Sequence, residues 1–444
     1  MLNIEFPNNY KLKTTNQITT SFKKANMPIR GMLQHILWAI LFFTLWLAII
    51  WISVLHAEEP KKTKLKRHPK VTIGIPAYNE EKTIEKTVDS IINSDYPKEK
   101  IEIIIVNDGS KDNTAKVSQE LIKKHKGYNI ILINKANGGK SSAVNAAIEK
   151  ATGEFFAVVD ADSRIEKDAI HKVVPHFENQ NVGAVISRVR VDSPNKILER
   201  IQFFEYIMSN FIRKLMALLG TLAITPGVLS VYRTKILRKV GGFTKDRNNL
   251  TEDLEIAMRL KYNGYRVEME TNSTTHTLAP QNLKTLWKQR IRWARGYIYN
   301  MWNYRSMMFS RKHGIFGTFQ MPINVIVVIT LITNISIIAY NFVDKMIEFT
   351  IRSATIKGYF WTRILEFPTL QQILLGQNLR IMIPIILATV LGFYLILHAH
   401  KRFNEKITRN IIGAVGYFLF IPYFTTANWI SSIFQEIFKT KRKW

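Results

Sequence analysis

The sequence predicts an α/β domain with a mostly parallel sheet, flanked by α-helical membrane segments. Three observations carry this. Between Val71 and about Pro280, short runs rich in Val and Ile alternate with polar stretches of helical character. Such alternation implies βαβ units, and strands that are apolar almost throughout imply a sheet covered on both faces. Outside that region lie four longer apolar runs, Gly31 to Ala57, Gly314 to Val343, Ile381 to His398 and Asn410 to Phe434. A bilayer is crossed by about 20 apolar residues. The first run contains no Asp, Glu, Lys or Arg. Because a largely polar segment precedes it, it is expected to be a retained anchor and not a cleaved signal peptide.

Composition agrees. The chain has 444 residues, with 62 Lys+Arg against 34 Asp+Glu, a formal charge of +28, and no cysteine. Disulfides and thiolate metal sites are excluded. The basic excess asks for an anionic partner. "KKTKLKRHPK" (Lys61 to Lys70) directly follows the first apolar run, as expected of a cytoplasmic flank facing anionic headgroups. No basic, aromatic-interleaved groove motif occurs outside the membrane flanks, which argues against nucleic acid.

The elements follow in order. Residues 1–30 form a polar N-terminal segment, 31–57 a transmembrane helix and 58–70 a basic linker. The α/β domain spans 71–280. Its strands are expected at Val71–Ile75, Ile101–Val106, Asn129–Asn134, Phe155–Asp160 and Val182–Ser187, with helices at Glu80–Ile92, Thr114–His125 and Ser141–Lys150 between the first four. Residues 281–312 mix Leu, Ile and Trp with Lys and Arg at helical spacing and are expected to lie at the membrane interface. Ile197–Gly220 has the same character. Residues 313–444 form a C-terminal membrane region of about three helices. With the domain facing the cytoplasm, one span before it and three after it put both termini outside, which fits the basic "KTKRKW" poorly. Either the last run dips in and returns, or Glu366–Gly376 belongs to a further membrane segment.

In a parallel sheet, ligands bind beyond the carboxyl ends of the strands. The first strand leads into Pro76, Tyr78, Asn79 and Glu80, the second into Asp108 and Gly109, the third into Gly138, Gly139 and Lys140, and the fourth into Asp160 and Asp162. One polar strand end is a turn; four in succession predict a shared site. Asp160-x-Asp162 offers hard oxygen ligands that suit Mg²⁺ or Mn²⁺ rather than zinc. "NGGKS" resembles the tail of a phosphate loop, but the glycine required five positions before Gly139 is Asn134. A divalent ion, a lysine and a parallel sheet still point to a nucleotide diphosphate.

Six motifs stand in order: "PAYNE", "NDGS", "GGK", "DAD", "TEDLE" and "QRIRW". With them, the stretch from about Val71 to Tyr304 resembles the membrane-embedded family 2 glycosyltransferases, among them poly-N-acetylglucosamine, hyaluronan, chitin and cellulose synthases. The resemblance implies a GT-A fold, Rossmann-like, on the cytosolic side. It implies a processive, inverting transfer of a sugar from a UDP-sugar to a growing β-linked polysaccharide, with N-acetylglucosamine as the expected sugar. Tyr78, Glu80 and Asp108 match uridine-side positions, beside Pro76. Lys140 matches a nucleotide-side lysine. Asp160 and Asp162 match the nucleotide- and metal-binding pair, with Asp162 toward Mg²⁺ or Mn²⁺. Asp253 matches the general base, with Glu252 beside it. Gln289, Arg292 and Trp293 match the Q-x-x-R-W of processive members. Where the family usually has D-D-G-S, the first residue here is Asn107. The lipid bilayer, an acceptor glycan and an accessory membrane subunit are the implied partners, at the plasma membrane.

The chemistry of these residues supports the same roles. A departing diphosphate is an anion that a metal and an arginine stabilise, and an attacking hydroxyl needs a base within reach. Two other functions are open on the sequence: a non-processive transfer of one sugar to a lipid or glycan, and a non-catalytic sugar-nucleotide-binding protein. "TEDLE" by itself also reads as a Thr251 N-cap with an acidic first turn. "PGVLSVYR" (Pro226 to Arg233) resembles the family's acceptor-side loop, though by itself it reads only as a turn before an apolar strand.

Overall fold

A computed structural model of the protein describes residues 8–57, 67–365 and 379–442. The chain forms two compact units, Met1–Ser53 with Val327–Leu395, and Val54–Ile326 with Ile396–Trp444. In chain order, helix α1 (Asn8–Leu55) precedes strand β1 (Val71–Ala77), α2 (Ile84–Ile92), β2 (Ile101–Asp108), α3 (Thr114–Lys124), β3 (Asn129–Lys135), α4 (Lys140–Lys150) and β4 (Phe155–Val159). Then come β5 (Arg164–Ile165), α5 (Ala169–Val173), β6 (Val182–Val191), α6 (Ile197–Leu218), β7 (Val228–Arg233), α7 (Thr234–Lys239), α8 (Glu252–Tyr262), β8 (Arg266–Thr277) and α9 (Leu283–Asn303). The chain continues through α10 (Met321–Thr355), α11 (Tyr359–Leu365), α12 (Leu379–Arg402) and α13 (Ile411–Ile437).

All five expected strands form, in one eight-stranded sheet ordered β3-β2-β1-β4-β7-β6-β8-β5. The β3-β2-β1-β4 half is parallel. Strand β7 is antiparallel to both β4 and β6, and β6 is parallel to β8. The sheet is therefore mixed, mostly parallel. Side chains alternate across it as the strand period requires. Ile73, Ile75, Ile103 and Ile105 pack against Ile84, Val88, Ile91, Leu121 and Ile170 on one face. Ile104, Phe156, Val158 and Ile186 pack against Ala143, Val144, Ala147, Ile256 and Leu260 on the other. Each fully buried isoleucine stabilises the fold by roughly 1.5–3 kcal/mol relative to exposure.

Helix α2 begins at Ile84, four residues later than expected. The Glu80 amide donates to the Thr114 hydroxyl (2.8 Å) and the Glu81 amide to Asp112 (3.2 Å), so this stretch is held as a turn against the β2–α3 loop. Helix α6 packs on β6, β8 and α13. Its Asn210 amide donates to the Val189 carbonyl (2.6 Å) while the Val189 N–H donates back to the Asn210 oxygen (3.1 Å), which ties helix to strand. Helix α13 also packs on α9. Among the described residues, four helical stretches are long and apolar enough to cross a membrane: Met32–Leu55, Phe316–Thr355, Met382–Arg402 and Ile407–Ile437. Glu366–Gly376, residues 58–66 of the basic linker and the last two residues of "KTKRKW" lie outside the described residues.

Candidate active site

The parallel half of the sheet sends the ends of β1, β2, β3 and β4 to one edge. Because β7 is antiparallel to β4, with Val159 opposite Val228, the start of β7 lies at that same edge. This brings Gly227 to the DAD turn. The Asp160 N–H donates to the Gly227 carbonyl at 2.8 Å. A Cβ on Gly227 would sit 2.5 Å from Lys140 Nζ and 2.6 Å from both carboxylate oxygens of Asp160. A side chain at this position would displace the ends of Lys140 and Asp160, so "PG" before the strand lies at the site and is not merely its turn.

Lys140, the first residue of α4, bridges two motifs. Its Nζ lies 2.5 Å from Asp160 and 3.3 Å from Glu252. Burial alone would lower its pKa, but the charges of Asp160 and Glu252 outweigh that and hold it above the ordinary lysine value. Glu252 is 4% exposed and is committed to this pair. Asp162 has a different environment. Its carboxylate takes the Ser163 hydroxyl at 3.1 Å. Burial, then the neighbouring charges of Asp160 and Glu80, push it up to about 6. Burial likewise raises Glu80, with Asp160 and Asp112 adding to the effect. A divalent cation fits this corner: carboxylates crowd together, and Asp162 has oxygen lone pairs to spare. Among the described residues no cluster of three or more His, Cys, Asp or Glu forms a ready-made metal cage, and a magnesium-type ion uses one or two carboxylates together with substrate phosphates.

Asp253 is the second residue of α8, and an acidic side chain is stabilised at a helix N-terminus. Its backbone carbonyl accepts from both the N–H (3.2 Å) and the hydroxyl (2.7 Å) of Thr225. Burial, then the charge of Glu252, push its carboxylate up to about 6, against the opposing pull of Lys140 and Arg292. Thr251 occupies the N-cap position without a side-chain cap bond. Its hydroxyl instead accepts from Asn300 Nδ2 of α9 at 3.1 Å. Gly296 lies against the same threonine, so that a Cβ there would come within 2.4 Å of its hydroxyl. Gln289, Trp293, Gly296 and Asn300 recur at helical spacing and share one face of α9. The face that carries the Q-x-x-R-W residues is therefore the face locked to the T-E-D corner. Gln289 Oε1 is buried with no hydrogen-bond partner among the described residues. Arg292 lies within electrostatic reach of Asp253. Arg290 stacks over the Trp293 ring at 4.4 Å and pairs with Glu205 at 2.8 Å, so one face of the tryptophan is covered by a guanidinium.

Asp108 stands apart from these. It is 3% exposed. Its carboxylate accepts from Lys135 Nζ (2.6 Å), the Gly138 N–H (3.0 Å) and the Gly139 N–H (2.8 Å). Those bonds fix the loop that delivers Lys140. Pro76 lies within β1, opposite Val106, and Tyr78 is exposed at the same edge. Gly227 was marked only as part of the "PGVLSVYR" stretch, and the motifs did not single out Thr225, Gly296, Asn300 or the α6 residues Glu205, Tyr206 and Arg213. A glycine directly before an apolar strand and a small residue inside a helix were the available signals for the glycines; for α6 there was none beyond amphipathicity. His276 meets Glu166 at 3.2 Å and His313 stacks on Tyr262.

Known proteins agree with this geometry. Residues 72–241 match the domain described as glycosyl transferase family 2. A poly-beta-1,6-N-acetyl-D-glucosamine synthase of Staphylococcus epidermidis is 32% identical over 276 residues, covering 59% of this chain and 66% of that protein, just under two thirds of its length. The probable glycosyltransferase YdaM of Bacillus subtilis (strain 168) is 33% identical over 305 residues, covering 62% of this chain and 71% of that one. Among solved structures, the mannosyltransferase PcManGT of Pyrobaculum calidifontis, in complex with GDP-Man and Mn²⁺, has the same fold with a TM-score of 0.58 at 20% identity, covering 88% of this chain and 98% of that chain. The sheet order, the strand-end carboxylates and these relatives lead to one conclusion: the chain belongs to glycosyltransferase family 2, on a GT-A fold.

Proposed function

We propose that this protein is a membrane-bound, inverting glycosyltransferase that moves N-acetylglucosamine from a UDP-sugar onto a growing β-linked polysaccharide. The observation that carries this reading is the fixed relation of Lys140, Asp160 and Glu252 to Asp253 and to the Q-x-x-R-W helix. The synthase named among the relatives favours N-acetylglucosamine and a polymer product.

Residue roles follow from the environments. The uridine end lies toward Tyr78 and Glu80, with Pro76 shaping the edge. Lys140, held cationic by its two carboxylates, orients the diphosphate. Asp162, with Asp160 beside it, would hold a divalent ion, Mg²⁺ or Mn²⁺, which when bound neutralises charge building on the diphosphate. Asp253 takes the proton of the acceptor hydroxyl as its oxygen bonds to the sugar's anomeric carbon. The bond from that carbon to the diphosphate breaks, and its electron pair leaves with the phosphate oxygen. Attack opposite the leaving group inverts the anomeric centre. A pKa near 6 leaves Asp253 ionised at neutral pH yet more basic than an ordinary aspartate. Gln289 brings an unpaired oxygen to the acceptor side, and Trp293 offers its uncovered ring face to a sugar. The basic flank after α1 and the cytosolic source of UDP-sugars support a domain on the cytoplasmic side of the plasma membrane.

The test is UDP release by detergent-purified protein with Mg²⁺ or Mn²⁺ across a panel of UDP-sugars. Release with UDP-N-acetylglucosamine, lost in Asp253→Asn while UDP still binds, is expected. A product limited to one added sugar would point to non-processive transfer. No release with any donor, despite UDP binding, would sink the enzymatic reading.

A further inference from the structure

The side chain that covers Trp293 is itself held from another helix. Arg290 and Trp293 are three residues apart on α9, a spacing at which side chains of one helix meet. The Arg290 guanidinium lies over the indole, 4.4 Å from the ring centroid. The same guanidinium donates to the Glu205 carboxylate of α6 at 2.8 Å. The two side chains of that pair are only 17% and 19% exposed. Trp293 is partly buried and keeps some of its surface open.

A second tryptophan of α9 gives the contrast. Trp302 also lies under an arginine, Arg305, at 4.7 Å. It is 67% exposed, and its arginine bonds back to the Trp302 carbonyl at 2.8 Å. That is a local surface pairing. At Trp293 the covering cation is anchored by an acid on a different helix. A tie between α6 and α9 needs only an ion pair, which a lysine would also make. A guanidinium does more: its planar face covers a ring while the N–H donors at its edge remain free for a carboxylate. The sequence Glu205, Arg290, Trp293 therefore fixes a ring as well as a helix contact.

We propose that Glu205 and Arg290 are positioning residues for the acceptor: they hold the Trp293 ring at one angle with one face closed, so that a sugar stacks only on the other. This rests on the reading of Trp293 as an acceptor contact. Aromatic faces are apolar, and a pyranose with equatorial substituents presents a matching face of C–H groups. A ring fixed beforehand does not have to be immobilised when the sugar arrives, which lowers the cost of binding. Neither Glu205 nor Arg290 exchanges a proton or meets the reacting atoms.

The experiment uses the full chain in detergent with UDP-N-acetylglucosamine and Mg²⁺. It follows UDP release against the concentration of an added β-linked N-acetylglucosamine tetrasaccharide. The variants are Arg290→Lys, Glu205→Gln, Trp293→Ala, and Arg290→Lys combined with Trp293→Ala. Lysine keeps the pair with Glu205, and so the tie between helices, but not the planar cover. Arg290→Lys is expected to raise the KM for the tetrasaccharide about 3–10-fold, with UDP affinity and thermal midpoint unchanged. Glu205→Gln, which releases the guanidinium, is expected to raise it similarly. Trp293→Ala is expected to raise it further, and the combined variant to match Trp293→Ala, because no ring is left to hold. A wild-type KM in Arg290→Lys would reduce the pair to a structural tie and overturn the proposal. A lowered KM would overturn it too, by showing that the guanidinium stands in the sugar's place. A combined variant worse than Trp293→Ala by the full Arg290→Lys factor would show that Arg290 acts independently of the ring. UDP release that does not respond to the tetrasaccharide, or a KM unmoved in Trp293→Ala, would overturn the acceptor role of the tryptophan and the proposal with it. Absence of UDP release from wild type would overturn the transferase reading itself.

Discussion

Two aspartates of this site, Asp162 and Asp253, have pKa values near 6, each through burial first and a neighbouring carboxylate second. The consequences for pH are separable. As the proposed base, Asp253 must be unprotonated to accept the acceptor's proton, so activity is expected above about 6 and is expected to be lost as pH falls through it. At saturating Mg²⁺, log kcat/KM is expected to fall with a slope of about one on the acid side. At limiting Mg²⁺, Asp162 must also lose its proton before it can ligate, and the slope is expected to steepen toward about two. A pH series at two metal concentrations checks this; identical slopes would contradict it. At this scale the sequence was informative about residue identity and less so about partners. Asp160, Asp162, Asp253 and Lys140 were legible because each ends or begins an element at the carboxyl edge. That the Asp108 carboxylate is filled by Lys135 and two backbone amides was not legible, because those bonds depend on where the β3–α4 loop folds back. The assignment of Asp108 to the uridine therefore rests on resemblance, while its geometry is that of a residue positioning the Lys140 loop.

Helix α9 works as a ruler. One face carries Gln289 and Trp293 in its first half and Gly296 and Asn300 in its second, and the second half is keyed to Thr251. Gly296→Val is expected to push α9 away from α8 at a cost of about 1–3 kcal/mol. The expected kinetic effect is a fall in kcat with UDP affinity nearly intact, because the α4 side of the site is untouched; equilibrium UDP binding beside initial rates checks it. An equal loss of UDP affinity would show that the two halves are not separable in this way. Elements were legible in proportion to their apolar content. Strands β1, β2 and β4 are buried on both faces and read as continuous Val and Ile runs. Strand β8, "RVEMETNSTTHT", is rich in Thr, Ser and Glu, and its place beside β6 comes from long-range pairing that local pattern does not reveal. Strand β5 has two residues and exists only against β8. Helix α2 was drawn four residues too long because the Glu80 and Glu81 amides bond to the β2–α3 loop and hold this stretch as a turn ahead of the helix.

At the level of the whole chain, hydropathy alone located four candidate spans, since length and apolar content are all that such helices need. It did not separate them by packing. Val54–Ile326 and Ile396–Trp444 form one compact unit, so α13 belongs with the domain that carries the site. Its Glu436 takes Arg295 of α9 at 2.6 Å and also pairs with Arg442, which lies over the Tyr299 ring at 4.2 Å. Arg295 is 4% exposed. Glu436→Ala leaves that buried guanidinium its bonds to the Gln435 oxygen (3.0 Å) and the Thr440 carbonyl (2.7 Å) but no counter-ion, and is expected to destabilise the unit by about 3–5 kcal/mol. Thermal unfolding in detergent checks it, and an unshifted midpoint would refute a structural role for the chain's last turn. The +28 charge is thus not all surface display; part of it lies inside, on cations such as Arg188, Lys261 and Arg295.

Thr225 and Gly227 are separated by a single proline. Thr225 holds the peptide that carries Asp253, and Gly227 lies under Lys140 and Asp160. Proline fixes one backbone dihedral between them. The short loop is therefore a common pivot: the lysine proposed to meet the donor and the aspartate proposed as base are mounted on one stiff part, so their positions are coupled through three residues.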